Sequence, residues 1–244
     1  GAQASITVTV NPTPTISGTT SVCVDATTTL TGSGTAATTS PWASSDDDVA
    51  TVSNLGLVTG VAAGTVTITY TDNNGCSTTE TVTVNALPAA PTTSNIAYCQ
   101  DETATALSAT ALTGHTLVWY DTDATTVLAS APTPTTTTAG NTTYYAAQSN
   151  DNTGCEGAQA SITVTVNPTP TISGTTSVCV DATTTLTGSG TAATTSPWAS
   201  SDDDVATVSN LGLVTGVAAG TVTITYTDNN GCSTTETVTV NALP

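Results

Sequence analysis

Lysine and arginine are absent from all 244 residues, which carry 18 acidic side chains and a formal charge of −18. A chain without cationic side chains cannot neutralise phosphates, so nucleic acid and anionic lipid surfaces are poor partners. The same absence rules out Lys–Asn isopeptide cross-links and leaves trypsin no cleavage site. Phe and Met are missing too, so any core is built from Val, Ile, Leu and Ala with three Trp and six Tyr. No run approaches the roughly 18 consecutive apolar residues of a membrane-spanning helix. No charged-then-apolar leader opens at Gly1, and the expectation is a mature, soluble polypeptide without direct membrane insertion.

What is present is repetition. Residues 1–88 recur letter for letter as 157–244, an offset of 156, and residues 89–156 occur once. Identity that extends to exposed positions exceeds what packing demands and points to duplication within a longer array. The apolar residues alternate along short stretches. Val66, Ile68 and Tyr70 alternate with Thr65, Thr67, Thr69 and Thr71; Val82 and Val84 continue the pattern after a turn at Asp72-Asn73-Asn74-Gly75. A period of two with β-branched residues predicts strands with one buried face, and Asn-Gly predicts an antiparallel hairpin. The middle segment repeats the design over 142–148 and 160–166, joined by a turn through Asn150 to Gly154. No stretch has sustained helical periodicity. The expected fold class is all-β, a linear array of tandem immunoglobulin-like β-sandwiches.

Proline marks the joints, because it ends ladder pairing and fixes φ. Asn85-Ala86-Leu87-Pro88-Ala89-Ala90-Pro91 and Asn167-Pro168-Thr169-Pro170 each follow a terminal strand. The expected domains are A over 11–87, B over 88–167 and a second A over 168–244. Residues 1–10 repeat 157–166 and read as the terminal strand of a preceding B-type domain.

The six cysteines fall one pair to a domain: Cys23 and Cys76, Cys99 and Cys155, Cys179 and Cys232. The second of each pair directly follows the glycine of the terminal hairpin turn. Pairing within domains treats both copies of A alike, so structural disulfides are expected there, in an oxidising compartment. Closing a loop of about 53 residues contributes roughly 4 kcal/mol by the chain-entropy model. Under tension between Asn11 and Asn85, such a clamp leaves only the segments outside Cys23 and Cys76 free to peel away.

Catalysis finds little purchase. His115 is the only histidine and no Ser or Cys is paired with it by sequence, so the chain is not expected to be an enzyme. No cofactor is expected. Calcium is the alternative use for the acids: Asp46, Asp47, Asp48 and Asp72 are candidate ligands, with Asp101 and Glu102 beside them, although no D-x-D-x-D-G loop occurs. The bland reading of these carboxylates is turn capping and solvation. Trp42, Trp119 and Trp198 are expected to pack in the cores, as their motif positions favour, with sugar stacking as the alternative.

Two resemblances follow from longer motifs. Trp42-Ala43-Ser44-Ser45-Asp46, Val49-Ala50-Thr51-Val52 and the run from Gly56 to Ile68 resemble the bacterial immunoglobulin-like group 2 domain, and Trp198 to Ile224 does so again. The cysteine pair and the triple aspartate depart from that pattern. Tyr98-Cys99, Leu117-Val118-Trp119-Tyr120-Asp121, Tyr144 to Gln148 and Gly154-Cys155-Glu156-Gly157 resemble the cysteine-bearing immunoglobulin-like repeats of Bacteroidetes cell-surface proteins, among them gliding-motility adhesins of the SprB type. The resemblance implies export by the type IX route and display at the cell surface.

The expected role is a structural repeat of a long extracellular adhesin or filament, a stapled stalk that projects a tip. Its expected partners are neighbouring repeats of the same chain, with lateral association into fibres as an extension. The alternatives are a subunit of a fibre assembled by donor-strand exchange through residues 1–10, or a carbohydrate-binding module.

Overall fold

The computed structural model describes residues 3–244, and among them every regular element is a strand. In the first copy of A, the strands Ile16–Gly18, Thr27–Gly32, Leu57–Gly60 and Ala50–Val52 lie in that order in one sheet. The other sheet runs Ser21–Cys23, Ser77–Asn85, Gly64–Thr71 and Trp42–Ser44. The second copy repeats both sheets strand for strand. Between the copies, Ile96–Cys99, Ala160–Asn167, Gly140–Asn150, His115–Tyr120 and Val127–Leu128 form a five-stranded sheet in that order.

The alternation read from sequence decides the register. Gly64–Thr71 pairs antiparallel with Ser77–Asn85, from Gly64 opposite Val84 to Thr71 opposite Ser77. Val66, Ile68, Tyr70, Val82 and Val84 are thereby turned inward and buried, while the intervening threonines face outward. A one-residue slip would reverse both faces, so burial fixes the pairing. The turn between them spans Asp72 to Cys76, and Gly75 alone there takes a positive φ, of 79°. Leu30, Ala50 and Val58 complete the core from the opposite sheet, with Trp42 tilted 45° against Tyr70 at a ring-centroid distance of 4.7 Å. The second copy packs the same way, with Trp198 against Tyr226.

The chain divides into two compact units. One contains the first copy together with 110–118 and 146–160; the other contains the second copy together with 93–109, 119–145 and 161–167. In each, a short strand near the start of a module pairs parallel with the end of that module's last strand. Cys23 stands opposite Asn85, Cys99 opposite Asn167 and Cys179 opposite Asn241. This parallel edge pairing positions the cysteines.

Candidate functional site

The first cysteine of every module closes a strand, and the backbone turns immediately beyond it. The N–H of the following residue donates to the carbonyl of the terminal asparagine at 3.0 Å for Val24 and Asn85 and at 2.8 Å for Gln100 and Asn167. Asp25, Asp101 and Asp181 then adopt positive φ angles of 63°, 64° and 62°. Aspartate tolerates this left-handed conformation better than most residues because its short side chain bonds locally. The second cysteine sits just past the glycine of the terminal hairpin. In both copies of A its N–H donates to an aspartate Oδ1 at 2.9 Å, Cys76 to Asp72 and Cys232 to Asp228.

The disulfides do not form within modules. Cys23 is bonded to Cys155 and Cys99 to Cys232, with Cα atoms 5.7 and 5.5 Å apart. Cys76 and Cys179 are free thiols, so the expected pairs Cys23–Cys76, Cys99–Cys155 and Cys179–Cys232 are corrected. The reason is strand length. Cys23 lies beside the far end of Ser77–Asn85, a strand of 9 residues, and Cys76 precedes its near end. At about 3.3 Å per residue these ends are some 30 Å apart, whereas a disulfide tolerates a Cα separation of about 7 Å. Cys99 and Cys155 are held apart by Ala160–Asn167 in the same way, and Cys179 and Cys232 by Ser233–Asn241. The expected clamp between Cys23 and Cys76 therefore does not exist, and the bonds join one module to another instead.

The acidic candidates are engaged in turns. Asp72 is buried, its Oδ1 accepting from the N–H groups of Asn74 and Cys76 at 2.9 Å each. Asp46 accepts from the Asp48 N–H at 3.0 Å, and Asp46, Asp47 and Asp48 are exposed. Glu102 accepts from the Cys99 N–H at 2.8 Å. Among the described residues no group of three or more His, Cys, Asp and Glu is arranged to hold a metal ion, and the calcium candidates are not gathered into a site. The Asp123 carboxyl is held well below its usual range: the Thr126 hydroxyl donates to it, as do the Thr126 and Thr125 N–H groups. His115 Nδ1 lies 3.0 Å from the Thr113 carbonyl, and Nε2 faces the Asn150 amide. Trp42, Trp119 and Trp198 are each 6–7% exposed, so their faces pack in cores and present no stacking platform for sugar.

One structural residue escaped the sequence reading. Gln148 is fully buried, accepts from the Leu112 N–H at 2.7 Å and donates to the Ala89 carbonyl at 2.6 Å. It ties the proline-rich joint to the strand that leads to Cys155. A glutamine inside an otherwise apolar and hydroxylated strand, Tyr144-Tyr145-Ala146-Ala147-Gln148, was the available signal.

Residues 3–84 and 160–240 match the model of the bacterial Ig-like domain (group 2). The chain belongs to this family. Residues 88–168, between the two group 2 domains, match the Ig-like domain described as CHU_C associated. The two matches overlap on 160–168, the strand that pairs in parallel with Ile96–Cys99 and also leads into the second group 2 domain. No curated protein sequence matches the chain.

Among solved structures, immunoglobulin domains 1–4 of Sidekick-1 align at 12% identity and TM-score 0.31, covering 92% of this chain and 73% of that one. Invasin, a bacterial integrin-binding protein, aligns at 16% identity and TM-score 0.37, covering 93% of this chain and 59% of its own. The S-layer protein SbsC aligns at 16% identity and TM-score 0.27, covering 96% and 41%. The group 2 chain spans 58% of the five-domain Sidekick-1 structure.

Proposed function

We propose that the chain is a non-enzymatic structural repeat of a long extracellular surface adhesin or filament, a stalk that carries tension and projects a tip from the cell. The observation that carries this reading is that both disulfides join different modules. Such bonds persist in oxidising compartments, which favours the cell surface over the cytosol. The likeness of the middle module to Bacteroidetes surface repeats favours export by the type IX route. With both bonds intact, the shortest covalent route from Asn11 to Asn241 passes through Cys23, Cys155, Cys99 and Cys232 and includes about a third of the intervening residues. A single molecule pulled between these ends should therefore reach about a third of the length it reaches after reduction. Equal lengths in the two states would remove the mechanical basis of the reading.

Assembly by strand donation is the second reading, supported by one contrast. Ala4–Asn11 repeats the sequence of Ala160–Asn167, in which Ile162, Val164 and Val166 are buried, yet Ile6, Val8 and Val10 are 90, 79 and 88% exposed. A segment outside any sheet that carries the apolar alternation of a strand is what strand addition requires. On a denaturing gel without reductant, a fibre held only by donated strands falls to subunits, whereas a covalent array stays very large.

A further inference from the structure

We infer that Cys179 and Cys76 are the two complementary open ends of a head-to-tail disulfide ladder. Each takes the opposite cysteine of a neighbouring module of the same repeat. Both observed bonds obey one rule: the strand-end cysteine of one module joins the turn cysteine of the next. Cys23 of the first group 2 module joins Cys155 of the middle module, at a sequence separation of 132. Cys99 of the middle module joins Cys232 of the second group 2 module, at a separation of 133. The rule holds whether a group 2 module comes first or second.

The free thiols occupy the same two positions. Cys179 is the repeat counterpart of the bonded Cys23. It ends the same strand, faces Asn241 as Cys23 faces Asn85, and precedes Asp181 with the same positive φ. Cys76 is the counterpart of the bonded Cys232, following Gly75 as Cys232 follows Gly231 and bonded through its N–H to Asp72 as Cys232 is to Asp228. Identical local structures, bonded in one copy and free in the other, assign the free sulfurs a partner of known kind: a turn cysteine for Cys179 and a strand-end cysteine for Cys76. Neither can turn to its own module, where the last strand holds the two positions about 30 Å apart. Cys179 is exposed and Cys76 half-buried, against the 1% exposure of the bonded Cys155 and Cys232. The bonded turn cysteine is therefore covered, and the free one is only partly so.

Closing each rung oxidises two thiols. A small disulfide of the oxidised glutathione class is first attacked by one cysteine thiolate, giving a mixed disulfide and releasing one reduced thiol. The second cysteine thiolate then attacks the protein sulfur of that mixed disulfide, forming the rung and expelling the other reduced thiol. Two electrons pass to the small disulfide, and the two cysteine protons end on its two thiols. The inference rests on the pairing rule alone and stands or falls separately from the proposed tether.

The test has two arms, because the neighbouring module can belong to the same polypeptide or to a second copy. In the first, the sequence of 89–168 is appended once more after Pro244, and the oxidised protein is digested with an Asp-specific protease without reductant. Mass spectrometry should show Cys179 joined to the added counterpart of Cys155, with two free thiols remaining, Cys76 and the added counterpart of Cys99. Cys179 left free, or the two added cysteines joined to each other, would overturn the inference. In the second arm, Cys76→Ser and Cys179→Ser variants of the chain are mixed in a glutathione buffer. A covalent dimer through Cys179 and Cys76 shows that a second copy serves as neighbour; with the first arm positive, its absence assigns the neighbour to the same polypeptide. A dimer of the Cys76→Ser variant with itself, through two Cys179 sulfurs, contradicts the complementarity and defeats the rule.

Discussion

Gly32 lies directly against the ring of Tyr70, so closely that a Cβ at position 32 would fall among the ring atoms. Tyr70 is 2% exposed and tilts against Trp42, so its ring has nowhere to go. Gly32→Ala should therefore destabilise the first group 2 domain by about 1–3 kcal/mol, the usual cost of overpacking. Gly34→Ala meets nothing within 4 Å and bears only its positive φ of 76°, at about 1 kcal/mol. Urea unfolding of both variants separates the two effects; equal losses would mean that the ring yields.

Ile6 and Ile162 occupy the same place in one repeated sequence but in opposite environments, 90% and 1% exposed. Ile162→Ala should cost about 2–5 kcal/mol, as buried truncations do. Ile6→Ala should change the melting temperature of the monomeric chain negligibly. A comparable loss at Ile6 would show that the segment around it is docked in solution.

Cys23→Ser removes the bond that closes a loop of 132 residues. The chain-entropy model puts its contribution at about 5 kcal/mol. The variant should unfold at much lower urea than the parent under oxidising conditions, and the difference should largely vanish once both are reduced.

Asp72→Ala should lower stability by about 2 kcal/mol, because the N–H groups of Asn74 and Cys76 lose a charged acceptor. Since those oxygens are already committed to the turn, millimolar calcium should leave the melting temperature of the parent unchanged. A rise with calcium would restore Asp72 and Asp46 as ligands.

The pH dependence at Asp123 has a defined sign. Its folded-state pKa is depressed, chiefly by the Thr126 hydroxyl and then by the Thr126 and Thr125 N–H groups. The stability it contributes is therefore present above the ordinary carboxylate range and is lost as pH falls through the lower folded value. Carbon-detected NMR titration should find the Asp123 carboxyl still ionised at pH values below the ordinary carboxylate range. Thr126→Val should move its midpoint back up.

Much of the fold was legible because a strand writes its own environment at a period of two. Val66, Ile68 and Tyr70 announced a buried face, and Asp72 to Gly75 announced the turn that lets Val82 and Val84 pair back onto it. The sandwich class, the hairpins and the burial of the tryptophans needed only these local rules. The cysteines were legible as disulfide formers, and their placement at turns was visible in Gly75-Cys76 and Gly154-Cys155.

The partners of those cysteines were not legible. Composition, repeat and strand pattern are properties of neighbouring residues, so the sequence by itself determined an acidic, helix-free chain of repeated sandwiches. Tertiary structure alone decided that Cys23 lies beside Asn85, through a parallel pairing between segments more than 60 residues apart. That pairing sends the two cysteines of a module to opposite ends of one long strand. A covalent bond depends on separation in space rather than on membership of a domain, and so the four bonded sulfurs, Cys23 with Cys155 and Cys99 with Cys232, all pair outside their own modules.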